Sequence, residues 1–399
     1  MKIVILCSGG AERLDGGGIF LRQAIDSLAG NDVRVIRFLI GRQGSSYSSW
    51  INSVEHLDVP VRGSVRGLGR LRKMSKVVAD CFEWGVVRHI ELRKSVRVVA
   101  NYLTEFAPDV ILCIMNSMEP ILVMGTITKI LSVPVVTMEW DPPKSIAHGL
   151  DLPHFQVNRV EGAYEELVCN ARGVGVTSEG MAETYKQRFG RDAVVLRQYV
   201  DYANEETTFR KTQERKEWLI FYAGSIYAKN EFATFLSALD LCNWTLLGYP
   251  VRLRWLGSGG EFRVSGPCRI EFLGWQPQDR VLALAGECDL GYVAYWFDSA
   301  RSEETKNCFP SKIVSYMGVG LPPFFHGPVD SSPANFLRKF GAGFVCDKET
   351  AEGVLDCLKE ALGNPDRWED WRRKCFDVAK NEFSTDTFTH RLESLLGGR

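Results

Sequence analysis

The sequence lacks an apolar run long enough to cross a membrane. None of its 399 residues falls in a stretch approaching the roughly 20 apolar residues that a membrane helix needs. The apolar start, residues 1–6, is followed at once by Cys7-Ser8-Gly9-Gly10, too early to form the apolar region of an export signal. We therefore expect a soluble, cytoplasmic protein, with peripheral contact at a membrane surface as the alternative.

Paired cysteines and an excess of one charge are also missing. The 11 cysteines are odd in number and form no C-x-x-C motif, which favours a reduced compartment over a disulfide framework. The 48 lysines and arginines nearly balance the 49 aspartates and glutamates, leaving a net charge of −1. This balance argues against a general binder of polyanions and against an acidic disordered chain.

Several sequence motifs of nucleotide and metal sites are absent. No glycine loop completes G-x-G-x-x-G, since position 11 is Ala and position 262 is Phe, and G-x-x-x-x-G-K-[ST] does not occur. These absences weaken the dehydrogenase and P-loop interpretations. The chain has no D-x-D motif, and its six histidines lack the paired spacing of zinc ligands.

What the chain does have is an alternation of short β-branched runs with helix-length segments. Runs begin at Lys2, Val33, Pro108, Pro134 and Gly173, and the pattern restarts with runs at Trp218, Arg252, Ile270 and Leu290. Alternation of this kind predicts βαβ units and therefore a parallel sheet between helices. A chain of 399 residues is long enough for two such domains.

We therefore predict two doubly wound α/β domains in tandem. The N-terminal domain covers residues 1–200, a linker 201–217, and the C-terminal domain 218–375; a C-terminal helix over 376–399 packs back on the N-terminal domain. The linker is placed where apolar periodicity disappears. Residues 368–396 are predicted to be helical throughout, with one apolar face.

Three glycine loops and one lysine-bearing segment are candidates for anion binding. The loops are Gly16-Gly17-Gly18, Gly224-Ser225 and Gly257-Ser258-Gly259-Gly260, each equally compatible with a plain tight turn. The segment Phe309-Pro310-Ser311-Lys312-Ile313 predicts a short helix capped by Ser311, with Lys312 in its first turn. A lysine is unfavourable there unless an anion such as a diphosphate is bound; a solvated lysine on an exposed turn is the alternative.

Four segments of the second half form a distinctive combination. They are Phe309-Pro310-Ser311-Lys312-Ile313 with Tyr316-Met317 and Gly320-Leu321-Pro322, Tyr222-Ala223-Gly224-Ser225-Ile226 with Lys229-Asn230, Trp255-Leu256-Gly257-Ser258-Gly259, and Phe272-Leu273-Gly274-Trp275. The combination resembles the GT-B glycosyltransferases often called family 4. Val176-Thr177-Ser178-Glu179-Gly180-Met181 is similar to the end of that family's N-terminal domain.

The resemblance implies a GT-B fold, in which two Rossmann-like domains face each other across a cleft and a C-terminal helix crosses back. It implies a nucleotide-diphosphate sugar, UDP-, GDP- or other, as co-substrate, with retention of anomeric configuration and without a required cofactor. The residues it assigns to donor binding are Gly17, Gly18, Gly224, Ser225, Lys229, Gly257, Trp275, Asn307, Phe309, Pro310, Ser311, Lys312 and Ser315. Lys229 and Lys312 are expected to be catalytic, because they stabilise the departing diphosphate.

The resemblance breaks at the carboxylates of this signature. Asn307 and Ser315 stand where the family commonly has two glutamates eight positions apart, the second of which usually holds the ribose. Glu303 or Glu304, slightly upstream, is an alternative source of a carboxylate.

A second departure follows the strand over residues 134–138, where Glu139-Trp140-Asp141 replaces the family's His-Asp. We assign Glu139 and Asp141 to orientation of the acceptor, and Trp140 and His148 to the acceptor side. A core tryptophan and a surface histidine are the alternatives. A divalent cation shared by the two carboxylates is a further alternative, but we predict no metal site.

Residues 62–97 are strongly basic, with ten lysines and arginines against three acids. Such a stretch attracts an anionic acceptor, an acidic membrane surface or a nucleic-acid backbone. Solvated helix faces are the alternative without function.

The sequence therefore predicts a glycosyltransferase that moves a sugar from a nucleotide sugar to an unidentified acceptor: a glycan, a lipid carrier, a small molecule or a nucleic acid. A nucleotide-sugar-binding protein without catalysis and a nucleotide-sugar epimerase of the same fold are the alternative functions.

Overall fold

A computed structural model of the chain describes residues 1–9, 16–40, 54–61, 86–149, 154–200, 216–257, 267 and 269–397. The chain divides into two compact units. Met1–Leu196 and Thr389–Arg399 form the first unit, and Arg197–Phe388 the second. Within the described ranges, no helix combines the length and apolarity needed to cross a bilayer. Most of the predicted linker, residues 201–215, lies outside the described residues.

The first unit is built on a parallel sheet. Its strands are β1 (Lys2–Ser8), β2 (Asp32–Ile40), β3 (His56–Val61), β4 (Val110–Ile114), β5 (Val135–Glu139), β6 (Gly173–Val176) and β7 (Val194–Val195). They lie in the order β3-β2-β1-β4-β5-β6-β7. β4 and β5 are buried along their whole length, as expected for continuous apolar strands that are covered on both faces.

Helices connect and cover these strands. They are α1 (Gly16–Ser27), α2 (Arg88–Phe106), α3 (Met118–Ile127), α4 (Pro143–Gly149), α5 (His154–Asn170) and α6 (Glu179–Phe189). In α2 the buried residues are Ser95, Val99, Leu103 and Phe106. Their spacing of three and four places one face of the helix on the core and leaves the basic residues on the other.

The second unit repeats the plan with a sheet of its own. Its strands are β8 (Trp218–Ala223), β9 (Thr245–Leu246), β10 (Tyr249–Leu256), β11 (Ile270–Gly274), β12 (Leu290–Ala294), β13 (Pro323–His326) and β14 (Phe344–Cys346). Six are parallel in the order β11-β10-β8-β12-β13-β14, and β9 pairs antiparallel with β10. Trp218, Ile220 and Tyr222 enter one apolar cluster, whereas Leu219 and Phe221 enter another, because alternate side chains of a strand face opposite sides of the sheet.

The helices of the second unit lie between and after these strands. They are α7 (Lys229–Leu241), α8 (Gln278–Gly286), α9 (Ser302–Asn307), α10 (Ser311–Gly318), α11 (Ser332–Phe340), α12 (Ala351–Gly363) and α13 (Pro365–Glu382). The doubly wound α/β architecture predicted from the sequence is confirmed in both units.

The tail is two helices, so the prediction of one continuous helix over 368–396 is wrong. α13 ends at Glu382 and α14 (Thr385–Gly397) follows. Phe383 is buried in the core of the second unit, where its carbonyl accepts a hydrogen bond from the Val200 amide at 3.0 Å. Ser384 then starts the new helix, since its Oγ accepts from the Thr387 amide at 3.2 Å.

The last part of α14 lies within the first unit, against β6. A Cβ atom on Gly173 would be 2.6 Å from the carbonyl oxygen of Leu395. Arg172 donates a hydrogen bond to the carbonyl of Gly397 at 2.5 Å. Glycine on β6 is therefore what permits this close approach of the helix backbone.

Candidate active site

The carboxyl edge of the second sheet is formed by bare backbone at the ends of three neighbouring strands. Gly224 follows β8, Gly257 follows β10 and Gly274 ends β11. The Gly224 amide donates to the Leu256 carbonyl at 2.9 Å, and the Gly257 amide donates to the Gly274 carbonyl at 2.7 Å. A Cβ atom on Gly257 would be only 2.6 Å from the Gly224 oxygen. Two of the predicted donor residues are thus brought into direct contact.

Lys312, the second residue of α10, reaches back to this edge. A Cβ atom on Gly224 would lie 3.3 Å from the Lys312 Nζ. The ammonium group lies 4.6 Å from the ring centre of Tyr227 and 5.5 Å from that of Tyr222. Aromatic faces attract a cation in this geometry. Sequence reasoning identified Lys312 as a donor-binding residue. It did not identify Tyr222 and Tyr227, whose rings contact the Lys312 ammonium.

The Lys312 ammonium is a poorly solvated charge. Burial lowers the pKa of Lys312 from its ordinary 10.5 to about 8, because removal from water disfavours the charged form. No hydrogen bond or ion pair joins its Nζ to any of the residues that the structure describes. An anionic ligand at this position would satisfy the ammonium and restore its charge.

Four described helices of the second unit, α7, α8, α9 and α10, begin without a side-chain cap. The cap positions of α7, α8 and α10 are occupied by Ala228, Pro277 and Pro310, and no side-chain capping hydrogen bond is formed at any of them. The prediction that Ser311 caps α10 is therefore wrong. Pro310 takes the extended cap conformation and is buried, while Ser311 is an exposed first helical residue.

Other helices of the same unit are capped in the usual way. Ser331, Thr350 and Asn364 accept hydrogen bonds from the first-turn amides of α11, α12 and α13, at 3.4, 3.2 and 3.0 Å. The first-turn amides of α7, α8 and α10 lack such an internal acceptor and are available to an anion.

Ser225 and Lys229 lie in the turn between β8 and α7. Both are exposed, and Lys229 is the first residue of α7. A hydrogen bond holds this turn to β8, since the Tyr222 hydroxyl donates to the carbonyl of Ser225 at 2.6 Å. Ser225 therefore lies in the same strand-to-helix turn as Gly224, and Lys229 begins the helix that follows.

Ser315 is joined to a residue that sequence reasoning missed. The side-chain amide of Gln278 donates to the Ser315 Oγ at 3.2 Å, linking the start of α8 to α10. Trp275, three residues before Gln278, has 55% of its surface exposed. The only sequence signal for Gln278 was its place just after the Gly274-Trp275 turn.

Two other predicted donor residues are largely committed to packing. Asn307 is the last residue of α9 and only 3% exposed. The ring of Phe309 packs edge-on to Phe336 at 4.9 Å and lies 4.3 Å from the Arg197 guanidinium. Of the two alternative carboxylates, Glu304 pairs with Arg301 at 2.7 Å.

In the first unit, Gly17 and Gly18 lie in the first turn of α1, and Gly18 is buried. Phe20, one turn further, packs edge-on against Trp140 with ring centres 5.4 Å apart. Trp140 is partly buried and Asp141 is exposed. Trp140 therefore connects the start of α1 to the end of β5.

Glu139 is the most unusual residue of this region. It ends β5, is fully buried, and neither carboxylate oxygen has a hydrogen-bond partner among the described residues. Burial raises the pKa of Glu139 from its ordinary 4.5 to about 8. At neutral pH the group is therefore protonated and acts as a hydrogen-bond donor.

Some predicted features fall partly outside the described residues. The side chain of His148 and the basic residues 62–85 belong there, whereas Arg88, Arg93, Lys94 and Arg97 lie on α2. In the described ranges, no group of three or more His, Cys, Asp and Glu side chains is placed to hold a metal ion.

Comparison with known proteins gives matches in structure only. No family model matches the chain, and no curated protein matches its sequence. Sucrose-phosphate synthase from Thermosynechococcus elongatus has a TM-score of 0.70 at 12% identity, over 99% of this chain and 98% of that chain. Anabaena Alr3699/HepE in complex with UDP-glucose has a TM-score of 0.67 at 14% identity, over 99% and 100%.

A third similar structure is the trehalose 6-phosphate synthase of Burkholderia multivorans, with a TM-score of 0.64 at 12% identity, over 100% of this chain and 99% of that chain. All three are similar over essentially their whole length. At these identities the similarity shows the fold alone: this chain has the GT-B fold of these glycosyltransferases.

Proposed function

We propose that this chain is a retaining, metal-independent glycosyltransferase, similar to family 4, that transfers a sugar from a nucleoside diphosphate to an acceptor hydroxyl. The observation that carries the proposal is the partly buried Lys312 ammonium, which lies against Gly224 and has no anionic partner among the residues that the structure describes. The uncapped starts of α7, α8 and α10 support it, because their amides offer further donors to a diphosphate.

In the proposed reaction the bond between the anomeric carbon and the diphosphate oxygen breaks. A bond from the acceptor oxygen to the same face of that carbon forms, and the acceptor proton passes to the departing phosphate. Negative charge develops on the diphosphate, where Lys312, Lys229 and the helix amides stabilise it. One such donor in a water-poor site typically contributes about 3 to 4 kcal/mol of transition-state stabilisation.

The base and ribose are assigned to the neighbouring surface. The exposed Trp275 indole offers a face for stacking on the base, and the Gln278–Ser315 pair offers an amide and a hydroxyl in place of the family's glutamate. The similar Anabaena protein is known in complex with UDP-glucose. We therefore place UDP-sugars first among the donors, ahead of GDP-sugars.

The acceptor side is assigned to the end of β5. The exposed Asp141 can accept a hydrogen bond from the acceptor hydroxyl, whereas the protonated Glu139 lies fully buried two residues before it. Trp140 and His148 complete this assignment. The described cysteines are all free thiols, which supports the proposed cytoplasmic location.

Detection of product tests the proposal. The full chain is incubated with UDP-glucose or GDP-mannose and a panel of glycan, lipid and small-molecule acceptors, and products are identified by mass spectrometry. We expect transfer, or slow donor hydrolysis without acceptor, that survives excess chelator. Binding without any turnover supports the non-catalytic alternative, conversion of the donor sugar without acceptor supports an epimerase, and loss of activity in chelator contradicts metal independence.

A further inference from the structure

The first unit contains an open pocket at the carboxyl edge of its sheet. The pocket and the open solvent in its mouth together occupy about 470 Å³, and the pocket is lined by α2, α3, α5 and the last residue of β3. Every lining residue belongs to the first unit, whereas Lys312 belongs to the second.

The wall of the pocket is apolar. Val61 ends β3, Leu92 comes from α2, and Met118, Leu122 and Val123 come from α3. Met118 and Val123 belong to the buried core, while Leu92 and Leu122 are only partly buried and face open space. Contact with a hydrocarbon or an aromatic ring would stabilise a complex by about 25 cal/mol for each Å² removed from water.

The rim of the pocket is charged, and its two acids are already engaged. Glu119 accepts a hydrogen bond from the Ser117 hydroxyl at 2.8 Å, and Glu91 lies 3.7 Å from Lys94 on the same helix. Arg159 of α5 is exposed and has no ion pair or hydrogen bond with the residues in the described ranges. The rim therefore carries charges of both signs, and the Arg159 guanidinium is open to an anionic group.

The helix beside the pocket carries further basic residues that do not line it. α2 contributes Arg88 to the lining, whereas the exposed Arg93, Lys94 and Arg97 of the same helix lie outside the pocket. This helix is the described part of the basic stretch that the sequence singled out.

We propose that this pocket binds an amphiphile that combines a hydrocarbon or aromatic moiety with one anionic head group. The apolar wall takes the hydrophobic moiety, and Arg159 holds the anion at the rim. In the proposed sugar transfer, on which this part of the assignment rests, the amphiphile is the acceptor. A nucleic-acid backbone would use the basic residues but leave the apolar wall empty.

Calorimetry with octyl phosphate tests the pocket in the full chain. We expect saturable binding of one molecule, with octanol and inorganic phosphate each binding at least tenfold more weakly. Arg159→Ala should weaken binding roughly tenfold, because a charged hydrogen bond is lost. Leu122→Trp should abolish binding by filling the pocket, while Arg93→Ala, the matched exposed arginine on α2, should leave it unchanged.

The proposed binding is contradicted if octyl phosphate does not bind saturably. It is also contradicted if wild type and Leu122→Trp bind octyl phosphate equally while circular dichroism shows an unchanged fold. Vesicles distinguish the source: co-sedimentation with phosphatidylglycerol vesicles that Arg93→Ala weakens and Leu122→Trp does not would assign a membrane surface instead. UDP binding is measured in the same variants. If octyl phosphate binds and UDP does not, the transferase proposal is contradicted and the proposed amphiphile pocket remains supported.

Discussion

At the scale of single residues, the chemistry of the second unit depends on how Lys312 is solvated. Its ammonium exchanges water for two aromatic faces, and such contacts stabilise a cation by only about 0.5 to 2 kcal/mol. This is too little to offset burial, so the pKa of Lys312 falls to about 8. A diphosphate beside it would raise the pKa again, which couples ligand binding to protonation.

Lys312→Ala is expected to lower kcat/KM for sugar transfer by roughly 100- to 1,000-fold, because the departing diphosphate loses its least solvated cation. Steady-state kinetics measures the loss, with the donor and acceptor that the product assay identifies. Lys306→Ala is the matched control, since Lys306 lies six positions earlier and pairs with Asp330 at 3.1 Å. Near-normal turnover in Lys312→Ala, or an equal loss in the control, contradicts the assignment.

In the first unit, Glu139 is a buried ionisable residue whose pKa is also shifted. Its pKa in the folded protein, about 8, exceeds the ordinary 4.5, so between these values the folded state holds a proton that the unfolded state has lost. The stabilisation is complete below about pH 4.5 and is lost as the pH rises through 8. The shift of Lys312 acts only above pH 8, whereas the buried His326, whose pKa is lowered from 6.5, acts in the opposite direction below about pH 6.5. Comparison with a variant that changes only residue 139 therefore isolates the contribution of Glu139.

Glu139→Gln should therefore flatten the pH dependence of stability. Relative to the variant, wild type is expected to lose a few kcal/mol of unfolding free energy between pH 5 and pH 8. Urea unfolding at both pH values, followed by tryptophan fluorescence, measures the difference. A difference that is constant or grows with pH would show that Glu139 is ionised in the folded protein.

At the scale of elements, the carboxyl edge of the second sheet combines strand ends at glycine with helices that have no side-chain cap. Gly224 and Gly257 have φ of +100° and +112°, in the region that favours glycine, and their contact brings two turns together. The same edge carries helices without caps, although the chain supplies Ser331, Thr350 and Asn364 as caps elsewhere. Backbone amides and one cation are thus concentrated at a single edge.

Gly257→Ala should damage both stability and UDP binding. An alanine at this φ costs about 1 to 2 kcal/mol, and its Cβ would also meet the Gly224 carbonyl at 2.6 Å, which forces the turns apart. Gly248→Ala separates the backbone strain from the steric clash. Gly248 has φ +82°, so alanine is strained there, but nothing lies within 4 Å of the added atom. Urea unfolding and UDP calorimetry should show a smaller stability loss and unchanged UDP binding in Gly248→Ala.

Many elements could be predicted from the sequence, because each is a local pattern. Two predicted strands, residues 218–223 and 290–294, coincide with β8 and β12. The break between α13 and α14 was missed because apolar spacing continues across it. Ser384 is a local cap signal at the break, whereas the hydrogen bond from the distant Val200 amide to the Phe383 carbonyl depends on tertiary packing. Contacts such as Gln278–Ser315 and the rings around Lys312 likewise depend on tertiary packing.

At the scale of the whole molecule, the two sheets share a topological feature that residue patterns do not show. Strand order reverses direction between β1 and β4 in the first unit, and between β8 and β12 in the second. Ligands of doubly wound sheets bind at such switch points. The start of α1, with its glycines Gly16, Gly17 and Gly18, is the next described element after β1, and Gly224 follows β8. Both predicted glycine segments therefore come after the strands that topology favours for a ligand.

The central claim is that Lys312 meets the diphosphate of the donor, and proton uptake on UDP binding tests it most directly. Near pH 8 about half of the free Lys312 side chains are deprotonated, so UDP should draw in about half a proton per molecule bound. Calorimetry in buffers of different ionisation enthalpy measures this number. We expect the uptake in wild type and its absence in Lys312→Ala; UDP binding without proton uptake in wild type, or with the same uptake in the variant, would contradict the account.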